Sequence, residues 1–194
     1  MISLRSLIAG AAVLAAPVMA ALSATQVTDG LNKVTQKSLE LQPVADSITV
    51  VNAPLFVIGQ GPFPDLIAGF TDIITTADTL VHGATTRSID TQGLSADQIT
   101  QINNGYKKFA NAQSNLLKTL GNKAPLVASV PAVGAPVAAV LRSLESVVDT
   151  IAFTIIGLTG EPVSPGTLGE NVHNTMAQFD KIGSAQKRAN VFVA

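Results

Sequence analysis

Apolar positions recur along the chain at helical spacing. Between residues 27 and 48, apolar or small side chains follow one another at alternating intervals of four and three, at Val27, Leu31, Val34, Ser38, Leu41, Ala45 and Ile48. This spacing matches the helical period of 3.6 and not the period of two that a half-buried strand shows. Because proline removes a helical hydrogen bond, we expect Pro43 to kink this first helix or to end it.

Two further stripes predict a second and a third helix. The second helix begins at Pro64-Asp65, has Gly83 as its predicted C-cap, and carries Leu66, Ile67, Phe70, Ile73, Ile74, Ala77, Leu80 and Val81. The third follows Ser95, which stands three residues before Gln98 as in a capping box. It ends at Gly121-Asn122 and carries Ile99, Ile102, Tyr106, Phe109, Gln113, Leu116 and Leu120.

The remaining stripes complete an all-α pattern. A fourth helix is predicted from near Pro136, with Val140, Leu141, Leu144, Val147, Val148, Ile151 and Ile155. A fifth follows Pro165-Gly166, with Leu168, Val172, Met176, Phe179 and Ile182. Since short loops rich in glycine and proline join these segments, the sequence predicts an antiparallel bundle of about five helices in a single domain spanning residues 21–194.

The first twenty residues form a separate segment. They contain one basic residue, Arg5, then an apolar run at residues 7–16, then Pro17 and small residues at positions suited to cleavage after Ala20. This pattern predicts a secretory signal peptide over residues 1–20. The alternative is a membrane anchor, but the run is shorter than the roughly 20 residues that span a bilayer. We therefore expect a secreted, extracellular protein with no membrane-spanning segment after cleavage.

Two uncharged segments join predicted helices, at residues 47–64 and 124–141. Prolines interrupt both, which excludes them as membrane spans. Their large apolar side chains are unusual for loops, which normally lie on the surface and are polar. Either they cover the ends of the bundle, or they form the rim of a site for an apolar ligand or surface.

The segment at residues 150–160 of the predicted fourth helix is also uncharged, and Phe153 and Ile156 lie off its main apolar stripe. A helix with apolar side chains on more than one face either lies at the centre of the bundle or contacts something apolar.

The composition narrows the possible chemistry. Charged residues make up 13% of the 194 residues, and the formal net charge is −1. This leaves no cluster of basic side chains for phosphate groups, so nucleic acid is not an expected partner. The chain has no cysteine, which excludes disulfides and Cys-ligated metals.

Catalytic patterns are also lacking. The chain contains neither the GxSxG of a hydrolase nor the HExxH of a zinc protease. Asp78 precedes His82 by four residues, a spacing that lets a carboxylate orient an imidazole, but a solvated helix-end pair is the ordinary interpretation. Glu145 and Asp149 have no histidine near them in sequence. We predict no catalytic residue, no metal site and no cofactor.

Several segments together resemble a known family. They are the signal peptide, LNKVTQKSLELQPVADSI, GQGPFPDLIAGFTDIITTADTL, LSADQITQINNGYKKFANAQSNLLKTLGNKAPLV and SLESVVDTI. Over about residues 24–179 the chain resembles the fungal hydrophobic surface-binding protein A family, which includes cell wall galactomannoproteins. The resemblance implies a helical, secreted, non-enzymatic protein that adsorbs to hydrophobic surfaces and, in some relatives, holds a fatty acid or recruits a hydrolase. The chain differs from wall-bound relatives in lacking a Ser/Thr-rich stalk and an anchor signal.

The residue pattern and the resemblance lead to one hypothesis, a secreted bundle that binds hydrophobic surfaces or fatty-acid-like lipids through apolar helix faces and loops. The predicted lipid-binding residues are those of the inner stripes, with two phenylalanines at a mouth: Leu66, Phe70, Ile73, Phe109, Leu116, Ile151, Ile155 and Phe179, with Phe56 and Phe63. Two alternatives stay open: a cell wall or enzyme-recruiting protein that binds a secreted hydrolase as its partner, and a lipid or polyester hydrolase.

Overall fold

Five long α-helices make up most of the chain. A computed structural model describes residues 23–85, 94–163 and 167–191. The helices are α1 (Ala24–Asp46), α2 (Pro62–Thr85), α3 (Ala96–Lys123), α4 (Gly134–Thr159) and α5 (Thr167–Val191). Three short 3-10 segments lie between them, at Ala53–Ile58, Ala124–Val127 and Pro131–Val133. No strand occurs within these ranges, and the predicted all-α bundle of about five helices is confirmed. The predicted signal peptide lies outside the described residues.

The helix starts are fixed by local hydrogen bonds. Ser95 and Gln98 form the predicted capping box, in which each side chain accepts a hydrogen bond from the other residue's main-chain N–H. Ser23 and Gln26 form a second capping box that starts α1 and that the sequence reading missed. Such reciprocal bonds satisfy amide groups that have no partner inside the helix.

Two predicted boundaries need correction. Helix α1 continues past Pro43 to Asp46, so of the two expected effects of the proline, ending the helix at that residue is wrong. The C-cap predicted at Gly83 is wrong, since α2 extends to Thr85.

The helices surround a shared core in the ring order α1, α2, α4, α5, α3. Leu80 of α2 lies against Gly30 of α1, and nearer the opposite end Leu41 of α1 lies against Gly69, so these two helices are antiparallel. Gly105 of α3 lies against Leu31. Further along both helices Ser38 donates a hydrogen bond to Gln113, so α1 and α3 run parallel although they are adjacent.

The two ends of the bundle differ. We call the end at which α1, α3 and α5 begin the lower end, and the end that carries the three 3-10 segments the upper end. The upper end is held by Lys123, whose Nζ donates to the main-chain oxygens of Asp46 and Ile48 at 2.9 and 3.1 Å. Two ion pairs join neighbouring helices on the outside, Lys37 with Asp72 and Arg142 with Asp180.

Candidate functional site

The structure places nine of the ten predicted lipid-binding residues in one buried core. They are Phe63, Leu66, Phe70, Ile73, Phe109, Leu116, Ile151, Ile155 and Phe179, and each is at most 1% exposed. The tenth, Phe56, is partly buried and packs against that core. These side chains therefore face the interior, where they fill the space between the helices.

A small apolar space lies inside the lower half of the bundle. A small cavity of about 10 Å³ lies between α1, α2 and α4, lined by Val27, Leu80, Val81, Ile151, Thr154, Ile155 and Leu158. Its lining has one polar side chain, Thr154, whose hydroxyl donates to the carbonyl of Thr150 at 2.8 Å and is thereby satisfied. An apolar space of this size is at the lower limit for one water molecule and far below the roughly 300–1,000 Å³ of a ligand pocket.

An open groove lies outside this cavity, between α1 and α2. Its volume is about 530 Å³, and it is lined by Gln26, Asp29, Gly30, Lys33, Thr75, Thr76, Thr79, Leu80 and Gly83. The three threonine hydroxyls each donate to the main-chain carbonyl four residues earlier. Because their donor capacity is used within the helix, these threonines can contact an apolar molecule at little cost.

Leu80 separates the groove from the cavity. Its side chain lines both spaces and is only partly buried. It rests on the backbone of Gly30, where an added Cβ would lie 2.7 Å from Leu80 Cδ1, closer than van der Waals contact allows. Leu80 is therefore the side chain that the groove and the cavity share.

Phe56 and Phe63 lie at the upper end, away from the cavity. Their rings meet edge to face with centroids 6.2 Å apart. The two uncharged segments adjoin each other here, since the first 3-10 segment contacts the other two. The segments partly cover the end of the bundle, as the first interpretation expects, since they bury a set of apolar side chains: Ala53, Phe63, Val127, Val130 and Val133. Their other large apolar side chains are exposed: Val50, Val51, Leu55, Val57, Ile58 and Leu126.

The outer face of α4 carries another exposed apolar pair. Phe153 is 73% exposed and Ile156 is 36% exposed, so the interpretation of α4 as a central helix covered on all sides is wrong. Helix α4 packs against α2 on one side and α5 on the other. Its inner stripe is thus buried in the core while these two side chains face outward.

The polar residues considered for catalysis do not converge. His82 Nδ1 lies 2.9 Å from the main-chain oxygen of Asp78, not from its carboxylate. His173 Nδ1 of α5 lies 3.8 Å from Glu145 Oε1 of α4. The sequence did not predict this pair, because the two residues are far apart along the chain. Among the described residues no three potential metal ligands form a cluster, and no helix is long and apolar enough to cross a bilayer.

Buried polar atoms without partners are the feature that sequence reasoning missed. Within residues 23–85, 94–163 and 167–191, four such side-chain atoms have no hydrogen-bond partner, namely Asn103 Oδ1, Tyr106 OH, Gln113 Nε2 and Asn171 Nδ2. Three of the four belong to α3. Burial, and next the charge of Asp149, raise the pKa of Tyr106 to about 12. The available signal was the position of Tyr106 and Gln113 within an otherwise apolar stripe.

Comparison with known proteins identifies the fold. No family model matches the chain, and no curated protein matches it. A solved structure shares the helical-bundle fold with a TM-score of 0.59 and 17% sequence identity, covering 84% of this chain and 96% of that one. It is the crystal structure of Afmp4p in complex with palmitic acid.

Proposed function

We propose that this chain is a secreted, non-enzymatic protein that binds a fatty-acid-like lipid between α1, α2 and α4 in the lower half of the bundle. The observation that carries the proposal is the unfilled apolar cavity behind Leu80, next to an open groove of about 530 Å³. The ligand would enter from the groove when Leu80 turns away from the cavity.

The energy of binding would come from burying the acyl chain. Each methylene removed from water contributes about 0.8 kcal/mol, so a long chain can bind without a strong polar contact. The small cavity cannot hold such a chain unless neighbouring side chains move. Several of its lining residues, among them Leu80, Ile151, Ile155 and Leu158, are flexible aliphatic side chains that can change rotamer as the ligand enters.

The comparison with Afmp4p supports this assignment. That protein, which shares the fold at 17% identity, is described in complex with palmitic acid. The resemblance to the hydrophobic surface-binding family points to the same class of ligand. Both lines are independent of the cavity and groove seen here.

A substitution at Leu80 tests the site. Leu80→Trp should fill the cavity and the base of the groove, and should lower the affinity for palmitic acid at least tenfold. Leu39→Trp is the matched control, since Leu39 is 58% exposed on α1 and lines neither space. The measurement is native mass spectrometry of the secreted protein, first as isolated and then with added palmitic acid.

Either of two results would contradict the proposal. The first is a wild-type protein that carries no lipid and takes up no palmitic acid. The second is a Leu80→Trp variant that folds by circular dichroism and binds palmitic acid as well as Leu39→Trp does.

A second candidate function is adsorption to hydrophobic surfaces through the upper end. It is favoured by the six exposed aliphatic side chains there, of which Val51 is 82% and Ile58 is 66% exposed. Exposed apolar clusters without charge mark interaction sites more often than scattered single residues do. Val51→Asp with Ile58→Asp should keep the protein in solution over hydrophobic beads that remove the wild type. A variant with unchanged loss to the beads would exclude this end as the adsorbing surface.

The remaining alternatives make different predictions. A protein that recruits a secreted hydrolase or joins the cell wall would bind that partner with no lipid present. A lipid or polyester hydrolase would release product from a chromogenic ester. We place the protein outside the cell on the basis of the predicted signal peptide at residues 1–20.

A further inference from the structure

Lys33 of α1 brings an unpaired positive charge to the groove between α1 and α2. Its side chain is exposed and lines that groove. Within residues 23–85, 94–163 and 167–191 its ammonium group forms neither an ion pair nor a hydrogen bond. No other lysine or arginine is found among the described residues that line the groove. This charge is therefore available to a ligand in the groove.

The contacts between α1 and α2 fix the position of Lys33 in the groove. On its lower side, three residues earlier in α1, Gly30 lies against Leu80 of α2. On its upper side, four residues later, Lys37 forms an ion pair with Asp72 of α2. Lys33 thus lies between a glycine–leucine contact and an ion pair, and both of these join the same two helices.

Thr76 is the residue of α2 that is level with Lys33. It lies four residues after Asp72 and four before Leu80, and it lines the groove as well. Its hydroxyl donates to the main-chain oxygen of Asp72 at 2.7 Å. Lys37 therefore has a carboxylate across the groove, whereas the corresponding position across from Lys33 holds a neutral threonine.

Asp29 is the other charged residue in the lining of the groove. It precedes Lys33 by four residues in α1, a spacing that suits an ion pair, but the structure shows no ion pair between these described residues. One lysine and one aspartate leave the lining without net charge. A ligand with a single negative charge at Lys33 fits this balance better than a doubly charged phosphate, which Asp29 would repel more strongly.

The distance along the groove suits the end group of an acyl chain. Leu80 lines both the groove and the apolar cavity, and it lies against Gly30. Lys33 is three residues further along α1, which is about 5 Å along the helix axis. A chain whose first few methylenes lie in the groove can therefore reach Leu80 while its end group contacts the ammonium group of Lys33.

We propose that Lys33 binds the carboxylate of an ionised fatty acid in the groove, and that the site consequently prefers fatty acids to neutral lipids of the same chain length. This inference rests on the proposed function and adds the contact that orients the ligand. Because an ion pair between exposed groups contributes little free energy, we expect a preference of roughly two- to fivefold in affinity.

The experiment compares two ligands that share a chain length and differ in charge. Dodecanoate and dodecan-1-ol are titrated into the secreted protein by isothermal titration calorimetry, at low ionic strength and at about pH 8, where carboxyl groups are ionised. The wild type should bind dodecanoate more tightly. In about 1 M salt the preference should disappear, because screening at that concentration acts within about 3 Å.

Two variants test the role of Lys33. Lys33→Gln should lower the affinity for dodecanoate roughly two- to fivefold and leave that for dodecan-1-ol unchanged. Thr76→Asp places a carboxylate level with Lys33, as Asp72 is with Lys37, and should lower the affinity for dodecanoate by at least the same factor. Lys107→Gln is the matched control, since Lys107 is exposed on α3 and does not line the groove.

The outcomes separate the two proposals. Equal affinities of the wild type for the two ligands would overturn the carboxylate site and leave lipid binding intact. The same holds if Lys33→Gln, folded by circular dichroism, keeps the preference for dodecanoate or weakens both ligands equally. Absence of binding for both ligands would overturn the lipid-binding function itself.

Discussion

The ionisation of Tyr106 offers a direct test of the interior environment in the lower half. Tyr106 is the only tyrosine of the chain, and there is no tryptophan, so the ultraviolet absorbance of phenolate reports on this residue alone. Burial, followed by the charge of Asp149, raises its pKa from 10.0 to about 12. The folded protein should therefore show no phenolate at pH values where the unfolded chain is already ionised.

The same shift predicts how stability depends on pH. Below pH 10 the hydroxyl is protonated in both the folded and the unfolded states, so its contribution to stability is fully present. As the pH rises from 10 to 12, the unfolded chain releases the proton while the folded protein keeps it. Unfolding is then favoured, and a shift of this size corresponds to about 2–3 kcal/mol of stability lost.

The assay is urea unfolding, followed by circular dichroism, at pH values below and above the unfolded pKa of 10.0. Tyr106→Phe controls for lysine deprotonation and other alkaline effects, and should lose less stability over the same interval. A phenol that titrates near 10 in the folded protein would refute the reasoning, as would an identical alkaline loss in the variant.

Three further predictions concern stability and processing. Gly134→Ala places a Cβ 2.7 Å from the carbonyl oxygen of Phe179, and urea unfolding should show a loss of about 1–3 kcal/mol of stability. Gly157→Ala is the matched control, since nothing lies within 4 Å of its added Cβ, and it should stabilise the protein by about 0.5–1 kcal/mol. Equal stabilities of the two variants would contradict the close approach of α4 and α5 at Gly134. Ser95→Ala removes the capping box of α3 and should lower the free energy of unfolding by about 1 kcal/mol in the same urea assay. An unchanged urea midpoint would show that the capping box does not stabilise the protein. N-terminal sequencing of the secreted protein should begin at Ala21, and material that begins at Met1 would exclude cleavage of the predicted signal peptide.

The periodic apolar positions of the sequence predicted the helices and most of the buried core. Residues such as Leu31, Phe70 and Leu116 lie on stripes whose helical spacing is strong, and all three are fully buried. Helix ends were less certain, because a helix can continue past a residue that weakens it, as α1 does at Pro43. The order of helices around the core could not be read from periodicity, since every stripe is equally suited to several neighbours.

The candidate site depends on that order. Leu80 belongs to the stripe of α2, but its position over Gly30 follows only from the pairing of α1 with α2. The contact of His173 with Glu145 likewise requires α4 and α5 to be adjacent. Tyr106 is visible in the sequence as part of a stripe, whereas the lack of a partner for its hydroxyl depends on every side chain around it.

The features argued for lipid binding are concentrated in one half of the bundle. The upper end is fixed by the hydrogen bonds from Lys123 to two carbonyl groups and by the close contact of Gly134 with Gly183. The lower half contains the apolar cavity, the side chain of Leu80 that lines both cavity and groove, and the unpaired hydroxyl of Tyr106. A ligand that binds the folded protein at the cavity would add its binding energy to the stability of the fold. Under the proposed function, this small apolar space is the point at which an acyl chain would enter the bundle.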